Sequence, residues 1–229
     1  METLKLTAKD FKQSTSYWKD YIGTTDVSDF QWNIEIEWNL WYIQFECIKA
    51  ENISLEVGSY IEVGSYIEVG GSLKVGSSLK VGGSLKVGGS LKVGSSLEVG
   101  GSLKVGSSLK VGSYIEVGSS LEVGSYIEVG SYIEVGSSLK VKYGISAWLY
   151  ISVKWKMIFS LRCFAWICEW RDISDEEKTI TCGKIEGTGV VEYGILKEIG
   201  MPDEKVQETL YWKEVTVTVD GKEYKAVIQ

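Results

Sequence analysis

The sequence contains no histidine and only one proline among its 229 residues. Without histidine, the chain lacks the side chain that most often acts as a general base near neutral pH and the commonest nitrogen ligand of zinc. No apolar run approaches the roughly 18 residues that a membrane-spanning helix needs. The first residues, METLKLTAKDFKQ, also lack the apolar core of a signal peptide. These absences predict a cytoplasmic protein that makes no membrane contact and binds no metal or other cofactor.

Cysteine spacing and net charge restrict the function further. The four cysteines do not have the spacing of a zinc site, so we interpret them as buried or free thiols, with a disulfide or a metal site as the alternative. They are Cys47, Cys163, Cys168 and Cys182. A net charge of −7 is unfavourable for general nucleic-acid binding. The predicted partner is therefore another protein or a second copy of the chain, rather than a nucleic acid.

Glycine, by contrast, is abundant and periodic. The 26 glycines fall mainly within hexads such as VGSSLK and VGSYIE, which follow one another without a slip from Leu55 to Val141. Each full hexad reads aliphatic, Lys or Glu, Val, Gly, Ser or Gly, and then Ser or Tyr. The alternation of apolar and charged residues is typical of a half-buried strand, and the glycine ends that strand. An α-helix is disfavoured, because glycine would fall in nearly every second turn.

The hexads predict an all-β fold dominated by a triangular parallel β-solenoid, in which three hexads form one 18-residue coil. We expect an N-terminal cap over residues 1–54 and a solenoid over 55–171, regular over 55–141 and degenerate over 142–171. A small α+β domain is expected over 172–229. In the degenerate part, apolar residues keep the spacing of the two core-facing positions of each hexad. They are Ile145, Ala147, Ile151, Val153, Met157, Phe159, Cys163 and Ala165.

Both ends of the chain have their own patterns. A short helix is expected near residues 9–21, and the alternation in WNIEIEWNL predicts a strand within residues 32–40. Pro202 and two following acids predict a second short helix within residues 201–210. EVTVTVDGKEYKAVIQ is typical of a hairpin with residues 220 and 221 at its turn.

The repeats VGSSLK and VGSYIE resemble those of hexapeptide-repeat β-helix proteins, a superfamily that includes left-handed acyltransferases and trimeric carbonic anhydrases. This sequence departs from their pattern, since a bulky Leu or Ile occupies the place where a small residue usually lies. The double aliphatic hexad is also similar to bactofilins, polymer-forming bacterial cytoskeletal proteins whose solenoids are right-handed. The resemblance covers roughly half of the chain and implies the fold, while handedness stays open. The histidines that it implies for the enzymes have no counterpart in this sequence.

The outward positions of the repeats carry the remaining information. Lysines lie in the middle hexads and glutamates on both sides of them. This order predicts a solenoid with a basic middle section between acidic ends that carry tyrosines. With three hexads per coil, Lys74, Lys92 and Lys110 form one column. Such a column reflects either duplication of gene segments or selection for a positive stripe that meets an acidic surface.

The sequence therefore predicts a non-enzymatic protein-binding or structural scaffold. In the degenerate part, apolar residues at outward positions need a cover, which is a terminal segment, another subunit or a partner. The candidate interaction surface consists of Lys74, Lys92, Lys110, Tyr114, Tyr132, Trp148 and Trp166. Two alternatives are an inhibitor from a phage or mobile element that blocks a host protein surface, and a self-assembling polymer of cytoskeletal type. An enzyme with a Glu or Cys nucleophile would need a pocket between the solenoid and the C-terminal domain.

Overall fold

The repeats fold as stacked parallel strands. The computed structural model describes residues 60–165, 172 and 174–201 in full, and only the backbone of further strands within residues 3–55 and 213–228. Strands three hexads apart pair in parallel register, so that Leu91 lies beside Leu109, Lys92 beside Lys110, and Val93 beside Val111. This arrangement confirms the predicted parallel β-solenoid with three strands per coil.

The solenoid has three faces, which we call A, B and C in the order in which the chain reaches them after residue 70. Face A is a sheet of ten parallel strands. Its strands are Thr3–Leu6, Asn33–Ile36, Asn52–Leu55, Leu73–Val75, Leu91–Val93, Leu109–Val111, Ile127–Val129, Ile145–Ala147, Arg162–Ala165 and Val190–Tyr193.

Faces B and C are joined, because two long strands turn the corner between them. Face B contains Lys19–Tyr21, Tyr42–Phe45, Tyr60–Val63, Leu79–Val81, Leu97–Val99, Ile115–Val117, Ile133–Val135 and Ile195–Glu198. Face C contains Ile48–Ala50, Ile67–Val69, Leu85–Val87, Leu103–Val105, Leu121–Val123 and Leu139–Val141. The two long strands are Ile151–Ile158 and Thr179–Glu186.

The core consists of aliphatic columns that run along the solenoid axis. Every inward Leu, Ile or Val from Ile61 to Val141 has at most 3% of its surface exposed. Burial of each such side chain stabilises the fold by about 1.5–3 kcal/mol relative to its exposed state. The inward phase predicted for the degenerate coils is also confirmed, since its eight residues are all at most 1% exposed.

The corners depend on glycine because successive coils approach closely there. The Gly112 N–H donates to the Val93 carbonyl at 2.9 Å, and a Cβ at Gly112 would lie 2.0 Å from the Gly94 carbonyl oxygen. Lys142 and Trp148 take this position near the C-terminal end, where the corresponding N···O distances are 3.0 and 3.2 Å. In the regular coils, glycine at this position therefore avoids a clash with the backbone of the preceding coil.

The N-terminal segment differs from its prediction in two ways. The expected helix near residues 9–21 is wrong, because Phe11–Gln13 and Lys19–Tyr21 form an antiparallel strand pair. Leu55 does not occupy the first position of a hexad. It pairs with Val75 and so takes the valine position, whereas Ile53 pairs with Leu73 and takes the first position. The strand predicted within residues 32–40 is confirmed over Asn33–Ile36. Parallel stacking also begins well before residue 55, in all three faces.

At the C-terminal end, stacking continues past residue 171 to Ile195–Glu198, with a 3₁₀ turn at Glu176–Lys178. The predicted hairpin is confirmed by the antiparallel pair Lys213–Val219 and Lys222–Ile228. The helix predicted within residues 201–210 falls outside the described residues, except for its first position. Within the described part of the chain, no helix has the length and apolarity to cross a membrane.

Candidate interaction surfaces

The three faces carry different charges although the same hexad builds all of them. Pairing in register places the outward residue of each strand directly beside that of the next coil. The predicted basic middle section is therefore incorrect as a description of all three faces of the solenoid. Charge is sorted by face, and on face B acidic residues lie at the same height as the lysines of face A.

On face C, the outward lysines and glutamates neutralise one another. Lys86 lies 2.8 Å from Glu68, and Glu122 contacts Lys104 at 3.2 Å and Lys140 at 3.4 Å. The lysine neighbours lower the pKa of Glu122 below its ordinary value, chiefly through the hydrogen bond from Lys104. Each charge on this stretch of face C thus has an oppositely charged neighbour one coil away.

Face A carries a run of positive charge. Lys74 lies beside Lys92, and Lys92 lies beside Lys110, as the sequence predicted. The run ends where Lys110 contacts Glu128 at 2.7 Å, and this hydrogen bond raises the pKa of the lysine. We call Lys74, Lys92 and Lys110 the lysine column. Its central member, Lys92, has a lysine on both sides.

Face B carries the opposite run. Glu98 lies beside Glu116, and Glu116 lies beside Glu134. We call these three residues the glutamate column. Lys80, one coil before it, approaches Glu98 at 3.8 Å.

Tyrosines line one border of the glutamate column. The Tyr114 and Tyr132 rings stack with centroids 5.0 Å apart and planes within 2°, and Tyr132 stacks on Tyr150 at 4.9 Å. Each hydroxyl donates to a carboxylate of the column: Tyr114 to Glu98 at 2.8 Å, Tyr132 to Glu116 at 2.7 Å and Tyr150 to Glu134 at 2.6 Å. The ladder fixes the orientation of all three carboxylates.

The same contacts keep the ladder tyrosines protonated. The hydrogen bond to Glu98, followed by burial, raises the pKa of Tyr114. Burial, followed by the hydrogen bond to the partner glutamate, raises the pKa of Tyr132 and of Tyr150. A phenolate beside a carboxylate would add a second negative charge and lose the donated hydrogen bond. Tyr114, Tyr132 and Tyr150 therefore remain hydrogen-bond donors to the glutamate column over the physiological pH range.

Beyond Glu128, face A becomes an open apolar groove of about 950 Å³. Several of its apolar side chains are well exposed, including Leu161 at 57% and Val190 at 60%. We call this surface the face A groove. Its apolar lining includes Tyr126, Tyr143, Trp148, Leu161, Phe164 and Val190.

Charged residues border this apolar lining. Arg162 Nε approaches Glu192 Oε2 at 3.7 Å, and Glu128 marks the boundary with the lysine column. Phe164 stacks on Tyr193 at 5.9 Å, and Lys142 lies 5.0 Å from the centre of the Tyr143 ring. An apolar centre with a charged border has the composition of a protein interface.

Reactive groups in the described residues are few. Cys163 and Cys182 are buried free thiols, as predicted for those two cysteines. Burial raises the pKa of Cys163 to about 12 and that of Cys182 to about 11, so both hold little thiolate at neutral pH. Over the same described part of the chain, no group of three or more His, Cys, Asp or Glu residues is arranged to hold a metal ion.

The structure divides the predicted interaction surface between two faces. Lys74, Lys92, Lys110 and Trp148 border or lie on face A, whereas Tyr114 and Tyr132 border face B. Trp166 lies outside the described residues. The six members that the structure describes therefore lie along two different faces.

Several surface residues were missed by sequence reasoning. Tyr150 follows Tyr114 and Tyr132 at the same interval of three hexads, so its spacing was a sufficient signal. Leu161 keeps the same interval from Tyr143, so its position was also predictable. Val190 gave no such signal, because more than three hexads separate it from Arg162, its partner in the sheet.

Comparison with known proteins gives no relative: no protein-family model, no curated protein and no solved structure matches this chain.

Proposed function

We propose that the protein is a non-enzymatic scaffold that binds a partner protein through the face A groove. A solenoid of this kind is consistent with a structural or binding scaffold, because its stacked strands hold side chains at fixed positions along each face. The observation that carries the proposal is the cluster of exposed apolar side chains in the groove, where Leu161 and Val190 are each more than half exposed.

The shape of the groove favours a protein over a small molecule. It is open rather than enclosed, and it extends over four consecutive strands of face A, from Ile127–Val129 to Val190–Tyr193. Three steps between parallel strands correspond to about 14 Å. A surface of this length, with aromatic side chains inside and Arg162 and Glu192 at the border, suits the apolar side chains of a folded partner.

The chemistry of the described residues supports a non-enzymatic role. Cys163 and Cys182 are buried thiols with raised pKa, and the glutamate column is held by tyrosine donors on an open face. Neither arrangement resembles a nucleophile beside a general base in a water-excluding pocket.

The test is differential capture followed by a purified binding measurement. The wild-type chain and the double variant Leu161→Glu/Val190→Glu are used to capture proteins from a lysate of the source cells. Lys140→Glu on face C is the matched control, because it also changes the charge by two units. A partner retained by the wild type and the control is then purified. We expect the double variant to bind it at least about tenfold more weakly, because the replaced side chains are central apolar contacts.

Equal binding of the purified partner to the wild type and to the groove variant would contradict the proposal. The inhibitor role stays a prediction that the same purified pair tests. An inhibitor must reduce the activity of the partner that it captures, whereas a passive scaffold leaves that activity unchanged.

A further inference from the structure

We propose that copies of this chain associate side by side, with the lysine column on face A of one copy against the glutamate column on face B of the next. This association is separate from partner binding in the face A groove. It uses a different part of face A, on the other side of Glu128.

The first argument comes from the contrast between the faces. On face C, Lys86, Lys104 and Lys140 each contact a glutamate of a neighbouring coil within 3.4 Å. On face A, Lys92 has lysines on both sides, and on face B, Glu116 has glutamates on both sides. Like charges one coil apart repel each other, so both columns gain from an external surface of opposite charge.

The second argument is that the two columns match in spacing. Each occupies three consecutive coils of the same solenoid, so the rise between lysines equals the rise between glutamates, about 4.8 Å. A row of charges on a helix or a loop of an unrelated protein does not have this spacing, which belongs to adjacent strands of a β-sheet. A second copy of the chain shares it by construction.

The third argument concerns register. Two parallel copies at the same height would place Lys74 against Lys80, which is unfavourable. A shift of one coil pairs Lys74 with Glu98, Lys92 with Glu116 and Lys110 with Glu134. In the antiparallel orientation Lys92 again meets Glu116, so the central pair is common to both arrangements.

The interface joins two different surfaces and is therefore heterologous. Each copy that uses face A for one neighbour keeps face B free for another, so the contact does not close on itself in a dimer. The one-coil shift of the parallel arrangement displaces each added copy along the axis. We therefore expect association that grows with concentration and weakens as salt screens the columns.

Charge reversal at the central pair separates association from folding. Lys92→Glu places an acid between Lys74 and Lys110, in the same way that Glu122 lies between Lys104 and Lys140 on face C. Glu116→Lys does the same between Glu98 and Glu134, although it removes the acceptor of the Tyr132 hydroxyl. Lys140→Glu is the control for Lys92→Glu, since it makes the same charge change on face C. Thermal unfolding of each variant verifies that the fold is retained.

The measurement is sedimentation velocity of the full chain over a concentration series at low and high salt. At low salt, we expect each single reversal to weaken association about tenfold and the double variant Lys92→Glu/Glu116→Lys to recover most of it, while Lys140→Glu has little effect. A wild-type chain that stays monomeric at every concentration would overturn the proposal. Association that survives Lys92→Glu, or that the double variant does not recover, would also overturn it. None of these outcomes depends on whether the groove binds a partner.

Discussion

Replacement of Gly112 by alanine is expected to lower the free energy of unfolding by about 2–4 kcal/mol, through lost hydrogen bonding and overpacking at a corner. The new Cβ would lie 2.0 Å from the Gly94 carbonyl oxygen and 2.9 Å from its carbon. Those atoms belong to the backbone, so the clash is relieved only if two coils move apart. That movement also weakens the bond from the Gly112 N–H to the Val93 carbonyl. Urea unfolding followed by circular dichroism measures the loss.

Gly101→Ser is the matched control for this substitution. Gly101 holds the second corner position, which is serine at Ser95, Ser107 and Ser113 in other hexads. A Cβ there would lie 2.8 Å from the Ser84 hydroxyl, a movable side-chain atom, and 2.9 Å from the Gly83 carbonyl oxygen, a much milder approach to the backbone than at Gly112. We expect a loss below about 1 kcal/mol, because the backbone oxygen must move far less than at Gly112 and because serine already occupies this position in other hexads. Equal losses for the two variants would show that the first corner position has no special need for glycine.

Leu109→Ala is expected to cost about 2–5 kcal/mol because it opens a cavity in the aliphatic column. Leu109 is fully buried, with Leu91 and Ile127 directly before and after it in the stack. The neighbouring coils are fixed by their own strand pairing, so they have little freedom to fill the space. Urea unfolding of the purified variant gives the value.

Leu109→Ile is the control for volume. The chain itself exchanges these residues at this position, with Leu121 and Ile127 both fully buried. We expect a loss below about 1.5 kcal/mol, as for other volume-conserving core changes. If alanine were tolerated as well as isoleucine, the columns would not be close-packed.

The regular part of the fold was predictable because one signal repeats without interruption. Inward and outward positions alternate in every hexad, and a single burial pattern satisfies all of them. The same phase identified Met157, Phe159 and Cys163 as core residues after the corner glycines end. Periodicity alone was therefore enough for the core, even where composition changed.

The N-terminal strands were not predictable in the same way. Ile53 pairs with Leu73, so this coil is longer than three hexads, and Leu55 takes a valine position although its local sequence fits the start of a hexad. Near residues 9–21, the short segments Phe11–Gln13 and Lys19–Tyr21 pair with each other. A local pattern does not reveal pairing that depends on a distant strand or on a return turn.

The surfaces were predictable only in part, for a related reason. The lysine column follows directly from the coil of three hexads, and so would Tyr150 in the ladder. The charge difference between faces was missed because the prediction grouped the outward charges by their position along the solenoid axis. It did not group them by the face on which they lie. The groove depends on Val190, which reaches face A after an irregular connection. No periodic signal marks such a residue.

The aliphatic core and both charge columns depend on residues three hexads apart lying on the same face. The most direct measurement is dipolar electron paramagnetic resonance between spin labels on introduced cysteines. Cys47 and Cys168 are replaced by serine, while the buried Cys163 and Cys182 stay, and labelled chains are diluted with unlabelled ones. Labels at positions 92 and 110 should broaden each other's spectra strongly, because Lys92 and Lys110 pair on adjacent strands. Labels at positions 92 and 98 should broaden each other less, because they lie on different faces. Stronger broadening for the pair one hexad apart than for the pair three hexads apart would contradict the solenoid and the assignment of surfaces to its faces.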